Sequence, residues 1–250
     1  MLITEGIKLE EELRRLKLNK PFGLDSETTG LDPHTAELRL LQLSDGEQTL
    51  TIDTRKVNRG LIKEKLQPIF TSREVKKVLH NAKFDLKFIK HHLGIDVEGI
   101  FDSMLTSNLI EAGVPKPRGW HGLGDVAYRY TKTRLKKDLQ VSDWSANELS
   151  RAQIAYAEKD AEVLPAIRES MVERLKKMGL VRCAKLEFDT VLPTAYMELC
   201  GFYLDLPQWS KVAEAEFARS ESLSQEILED LQPVIEQQSL FGLAEINLDS

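Results

Sequence analysis

An α/β fold built on a mixed sheet is predicted for the first two-thirds of this chain, and three observations predict it. Strand-like stretches come first and in succession: the apolar run Pro21 to Leu24, the alternating ELRLLQL of Glu37 to Leu43, and the β-rich TLTI of Thr49 to Ile52. Turn-forming residues separate them, at Gly30-Leu31-Asp32-Pro33 and at Asp45-Gly46. Helical and strand patterns then alternate, with helices over Leu61 to Phe70, Lys83 to His92 and Phe101 to Ile110, and a short buried strand over Val75 to Leu79. Three adjacent strands followed by such alternation suit a sheet covered by helices.

The remaining elements are read in order. An amphipathic stretch, Leu9 to Leu18, precedes the first strand, and Gly94 closes the Lys83 helix. Residues 113–120 (GVPKPRGW) form a loop, and residues 131–138 (TKTRLKKD) a basic connector. A long helix follows. Two matches to the capping-box pattern, Ser145-Ala-Asn-Glu148 and Ser150-Arg-Ala-Gln153, lead to the expectation that it starts in two steps. It runs to about Lys177, with Gly179 as its stop and Pro165 inside it, where a kink or an early end is expected. From Val181 the pattern is helical only: Arg182 to Cys200, a turn at Gly201, then Pro207 to about Leu231. The boundary is placed at Gly179, giving a domain over 1–179 and a helical segment over 180–250.

Of the 250 residues, 42% are apolar and 30% charged, the balance of a globular chain with a core. The net charge of −6 argues against a protein that coats nucleic acid through broad positive charge. It leaves room for one that grips a phosphodiester locally, through metal ions. The N-terminus lacks a basic region followed by an apolar run, and no stretch approaches the ~20 apolar residues that cross a bilayer. No secretory signal and no membrane partner are therefore expected. Cys183 and Cys200 lie far apart in one helical segment, and no CxxC occurs, so neither a disulfide framework nor a zinc site is suggested. A cytoplasmic location fits.

Carboxylates carry the chemistry. Asp25 and Glu27 stand two apart at the end of the first strand, on one face, where two acids can hold a hard divalent cation. The triplet alone says little, because Asp96-Val-Glu98 and Asp160-Ala-Glu162 share its form and solvated surface acids are the plain alternative. Burial after an apolar strand is what sets the first triplet apart, since two buried carboxylates cost several kcal/mol without a compensating cation or donors. The second group is His80-Asn81-Ala82-Lys83-Phe84-Asp85, which follows a strand and opens a helix. Asp85 in the first turn would otherwise only complement the helix dipole. The third is Tyr156-Ala-Glu-Lys-Asp160, where phenol and carboxylate share a helix face at i and i+4. Alone it would be a half-buried tyrosine beside a surface acid.

Taken together and in this order, DSETTGLD, HNAKFD, FDSML (Phe101 to Leu105), QVSDWS (Gln140 to Ser145) and AYAEKDAEVL resemble the DEDD exonuclease superfamily in its tyrosine-bearing subgroup. Ribonuclease D and the proofreading domain of family A DNA polymerases are members. The match covers residues 20–178. It implies a ribonuclease H-like fold and a 3′→5′ exonuclease using two divalent cations, Mg²⁺ or Mn²⁺. By the same resemblance, Asp25 bridges the ions, Glu27 and Asp160 complete the first site, Asp85 holds the second through its water shell, and Tyr156 orients the attacking water. Substrate contacts are expected at Thr28, at Leu31 as an apolar wedge, at Asn81 as a donor and at Phe84 as a stacking ring, with core packing the alternative for Leu31 and Phe84. Asp102, Asp143 and Trp144 are assigned to structure. The run Lys132, Arg134, Lys136, Lys137 is either a phosphate contact or a solvated surface.

The tail bears on the substrate. Residues 187–205, with Met197-Glu198, Gly201 and Asp205, look like the segment joining exonuclease to polymerase in family A enzymes. Trp209 to Leu231 would match the start of the thumb, and Ile246 to Ser250 the stretch before the next helix. The acidic tail fits poorly with the basic helical domain of a ribonuclease D. Single-stranded DNA or a frayed 3′ end is the expected substrate, with a polymerase in cis or trans as a partner. RNA is the alternative substrate, and a non-catalytic nucleic-acid-binding module the alternative function.

Overall fold

The structure, a computed structural model, describes residues 1–135 and 142–238, and side chains of the last helix as far as residue 231. Lys136, Lys137, Gln140 and the stretch from Ile246 to Ser250 lie outside the described residues. Two compact units are present, Met1–Cys200 and Gly201–Ser250.

The first unit is a six-stranded mixed sheet between helical layers, as the sequence predicts. Its elements run β1 (Leu2–Ile3), α1 (Gly6–Arg15), β2 (Phe22–Thr28), β3 (Leu38–Ser44), β4 (Thr49–Asp53), α2 (Arg59–Phe70), β5 (Lys77–Leu79), α3 (Ala82–Leu93), β6 (Ile100–Asp102), α4 (Ser103–Ile110), α5 (Leu123–Thr131), α6 (Arg151–Lys177) and α7 (Val181–Cys200). The strand order is β1-β4-β3-β2-β5-β6. β2, β3 and β4 form an antiparallel meander, whereas β1 pairs parallel with β4, and β5 parallel with both β2 and β6.

β2 is central, and its alternation serves two layers. Phe22 and Leu24 enter one core with Leu38, Leu41, Ile62, Leu66, Leu86, Phe88 and Ile89. Across the sheet, Val78 and Phe101 pack with Val126 of α5 and with Val163, Leu164 and Ile167 of α6. Some of the charged groups inside are matched, whereas the Gln42 amide, fully buried on β3, has no hydrogen-bond partner among the described residues. Arg39 and Asp53 form a buried ion pair. Lys77, fully buried at the start of β5, donates from Nζ to the carbonyl oxygens of Ile69, Ser72 and Val75. Burial pushes its pKa down to about 8. Gly99, at φ +66°, makes room for this arrangement: a β-carbon there would lie 2.9 Å from the Ser72 oxygen and 3.0 Å from that of Val75.

Several expectations are corrected in detail. β1 and β6 are two and three residues long, too short to show a period, and Phe101 and Asp102 belong to β6 rather than to the following helix. α5 escaped the sequence reading although Leu123, Val126, Ala127 and Tyr130 repeat at helical spacing. β2 continues to Thr28, so Asp25 and Glu27 lie within the strand rather than at its end. α6 starts once, at the Ser150–Gln153 capping box. Asp143, ahead of it, accepts instead from the backbone and hydroxyl of Ser145. Pro165 does not end α6, which is continuous from Arg151 to Lys177. α7 packs on α3 within the first unit, which therefore reaches one helix past Gly179. Cys183 and Cys200 are free and exposed on α7.

The second unit is described by α8 (Leu206–Gln238), entered after Gly201 at φ +60°. Among the described residues no helix is long and apolar enough to cross a membrane.

Candidate active site

Three elements deliver the acids. On β2, Gly23, Asp25 and Glu27 point to the face covered by α6. Gly23 permits the contact, since a β-carbon there would lie 2.1 Å from the carbonyl oxygen of Ala161. That proximity brings Asp160, the preceding residue, beside Asp25 and Glu27, and Tyr156 one turn before it. From the opposite face of β2, Ser26 reaches α3, where its hydroxyl donates to Asp85 Oδ1 at 2.5 Å. Asp85 reaches that position because β5 runs parallel beside β2 and the chain turns sharply after it. Asn81 takes the left-handed conformation at φ 64°, uncommon for a side chain other than glycine, and α3 begins at the next residue.

Asp102 holds this turn in place. Its carboxylate accepts from the backbone N–H groups of Asn81 and Ala82 at the start of α3 and of Met104 and Leu105 at the start of α4. One buried side chain thus caps two helices.

The four acids affect one another. Burial raises the pKa of Asp25 well above the ordinary carboxylate range, and the charges of Asp85, Glu27 and Asp160 add to it. Burial, then Asp160 and Asp85, push Glu27 up to about 9. Burial raises Asp85 to about 7 against the Ser26 hydrogen bond. Burial raises Asp160 to about 6, against a hydrogen bond from the Tyr156 phenol. The phenol is itself raised, by burial and by the surrounding acids. Among the described residues no lysine or arginine figures in any of these shifts, so no counter-charge among them offsets the cluster.

Asp25, Ser26, Glu27, Tyr156 and Asp160 line a cavity of about 460 Å³. His80, Asn81, Met104, Gly119, Gly122, Leu123, Gly124 and Leu135 complete its walls. Asp85 stands behind, 3% exposed, linked to the cavity through Ser26. Of the expected substrate contacts, Asn81 alone lines the cavity. Thr28 donates to the Gly30 oxygen in the turn after β2. Leu31 is 83% exposed, which rules out core packing for it. Phe84 is half-buried against Phe88, with ring centroids 5.0 Å apart. Trp144 packs between Leu40 and Ala157 and is structural, as expected.

Sequence reasoning missed Ser26, His80 and the Gly119–Gly124 wall. Ser26 carried a signal, because a buried hydroxyl in a strand needs a partner. His80 adjoins Asn81, bonds Ser103 Oγ through Nδ1 at 2.9 Å, and is held by burial at a pKa of about 4, hence neutral. The glycine wall comes from a loop more than ninety residues from β2, and nothing local announces it.

The donor set is entirely oxygen, acidic and uncompensated, which fits hard divalent cations and no softer metal. Among the described residues no three acid, histidine or cysteine side chains already converge on a single ion position.

Comparison with known proteins agrees with this geometry. The family model described as 3′-5′ exonuclease matches residues 2–176. DNA polymerase I of Aquifex aeolicus is 32% identical over 203 residues, covering 78% of this chain and 32% of the polymerase. Ribonuclease D of Gluconacetobacter diazotrophicus is 31% identical over 179 residues, covering 72% of this chain and 44% of the ribonuclease. The chain thus spans less than half the length of these relatives. Among solved structures, NrnC of Brucella melitensis bound to pGG superposes with a TM-score of 0.64 at 26% identity, covering 75% of this chain and 89% of that one. The same protein with bound Mg²⁺ superposes at 0.63. A matched segment that holds all five residues of the cluster, on a sheet and helices shared with these nucleases, makes the chain a member of the 3′-5′ exonuclease family, of the DEDD type.

Proposed function

We propose that this protein hydrolyses single-stranded nucleic acid from the 3′ end, releasing nucleoside monophosphates, and that DNA is its substrate. The observation that carries the reading is the cluster of four mutually repelling carboxylates, without a basic partner, along an open cavity that also presents a phenol. Asp25, Glu27, Asp85 and Asp160 would hold two divalent ions, Mg²⁺ or Mn²⁺. When bound, such a pair supplies the charge that activates a water and stabilises the departing 3′ oxygen. Tyr156, fixed one helical turn from Asp160, orients the attacking water. Ser26 holds the Asp85 carboxylate in place. Asn81 donates to the terminal nucleotide, while Thr28, Leu31 and Phe84 flank its base and sugar.

DNA is favoured by the longer alignment with the polymerase, 203 residues against 179 for ribonuclease D. On the same reading, residues 180–250 lead toward a polymerase domain in cis or trans. A second reading, an exoribonuclease, is supported by the ribonuclease D relatives and by the NrnC structure bound to pGG. The test uses matched 5′-labelled DNA and RNA oligonucleotides with Mg²⁺, Mn²⁺ or EDTA. The expected result is a DNA ladder shortening from the 3′ end and abolished by EDTA. Faster decay of RNA would select the second reading, and no cleavage of either would leave a binding module.

A further inference from the structure

We infer that Tyr128, Lys132 and Arg134 form a site for the phosphodiester backbone of the strand upstream of the nucleotide being removed. This rests on the exonuclease reading above for the direction of the strand.

The geometry begins at the cavity. Leu123 and Gly124, at the start of α5, line it, and so does Leu135, four residues beyond the end of that helix. Gly124 and Tyr128, at i and i+4, share one face of α5, and Lys132, the residue that ends the helix, turns its ammonium onto the Tyr128 ring. That face starts at the cavity wall, and beyond the helix terminus the chain returns to the wall at Leu135. A strand leaving the cavity along α5 meets Tyr128 first and the two cations next.

Those cations are gathered. Tyr128 is 46% exposed, with Lys132 Nζ 5.6 Å and Arg134 Cζ 5.3 Å from its ring centroid. A ring face attracts cations, so two long side chains that would otherwise sample separate space are held at one spot. The backbone contributes as well. Lys132 takes the left-handed conformation at φ 61°, with its N–H on the Tyr128 carbonyl oxygen at 3.1 Å. That conformation is uncommon for lysine and turns the chain back so that Arg134 meets the same ring.

Among the described residues the ring is what both cations are recorded against, and no ion pair of either is present. Two cations gathered on an exposed ring, in a chain of net charge −6, are complementary to a polyanion. The need is local too, because a phosphodiester strand approaching four acids is repelled until something at the rim holds it. DNA and RNA offer the same phosphodiester, so the site reads the backbone and not the sugar.

The test compares wild type with the double variant Lys132→Asn/Arg134→Gln, Tyr128→Ala and Tyr128→Phe. Asparagine tolerates the left-handed turn, so the double variant should keep its fold. Binding of labelled DNA and RNA 12-mers is followed by fluorescence anisotropy in EDTA from 50 to 200 mM salt, which needs no catalysis. Each lost phosphate contact on a single strand flattens log K against log salt by about 0.7, so the double variant should lose about 1.4 from the slope and about tenfold in affinity on both 12-mers. Tyr128→Ala should follow the double variant, and Tyr128→Phe should match wild type. With Mg²⁺, the double variant should raise KM for the 12-mer at unchanged kcat and leave cleavage of a dinucleotide unaltered. An unmoved salt slope, or equal losses on 12-mer and dinucleotide, would overturn the site. Failure of wild type to cleave would sink the exonuclease reading, while a slope lost in the double variant would still support the phosphate site.

Discussion

Gly23 and Ala161 approach so closely that a β-carbon on the glycine would lie 2.1 Å from the Ala161 carbonyl oxygen. Pro165 follows Ala161 by four residues and has no N–H to offer that oxygen, the bond a regular helix would make there. The carbonyl turned toward β2 is thus the one the proline leaves without its usual donor. A feature that suggests a broken helix instead marks where α6 meets the sheet, and Asp160 adjoins that contact.

Gly23→Ala is therefore expected to force β2 and α6 apart. Overpacking of this kind costs about 1–3 kcal/mol. Displacing Asp160 by an ångström should slow cleavage roughly a hundredfold. Thermal melting and kcat on a single-stranded 12-mer check both, and an unaltered kcat would show that the contact does not set the position of Asp160.

Asp25→Ala should abolish cleavage and leave the fold intact, because it removes the acid proposed to serve both ions. More than a tenth of wild-type rate would refute that assignment. Metal-free Asp25→Ala should also melt higher than metal-free wild type near neutral pH, since a buried acid whose ionisation opposes folding is gone.

Tyr156→Phe should lower kcat about 10- to 100-fold while calorimetry shows unchanged Mg²⁺ affinity. On the proposed reading the phenol positions water and does not ligate an ion. A weakened Mg²⁺ isotherm would mean that the hydroxyl supports the carboxylates themselves.

Stability should depend on pH with a definite sign. Glu27, at about 9, and Asp85, at about 7, hold protons in the folded state that the unfolded chain has already released. Their contribution is full below the ordinary carboxylate range and declines as pH rises through the folded values. From pH 6.5 to 8, Glu27 by itself should cost metal-free protein about 2 kcal/mol, or roughly 5 °C in Tm, and Asp25 and Asp85 act in the same direction. Saturating Mg²⁺ should flatten the decline, and Glu27→Gln should remove most of it. A Tm that rises over this interval without metal would contradict the cluster.

Much of the site was legible because its residues obey local periods. Strand alternation put Asp25 and Glu27 on one face, and the helical repeat put Tyr156 and Asp160 on another. That the two faces meet was not legible from either period. It depends on Gly23 against Ala161, a contact between residues 138 positions apart that no local pattern encodes. The sheet was readable where strands were long, as in β3 and β4, and silent where β1 and β6 offer two or three residues. Ser26 and the Gly119–Gly124 wall were missed for the related reason that their partners, Asp85 and the cavity, belong to distant elements. Pro165 misled because helix propensity takes no account of what the displaced carbonyl faces.

Lys77 has a consequence for how the folded state can be monitored. Its ammonium is enclosed by three carbonyl oxygens and wholly shielded, yet its reduced pKa gives it more of the free-amine form at neutral pH than an ordinary lysine has. An amine-reactive label should spare it while the 69–75 segment stays closed and take it promptly once that segment opens. Mass spectrometry of that one peptide over time would then count openings of the 69–75 segment directly, a clock set by the fold itself.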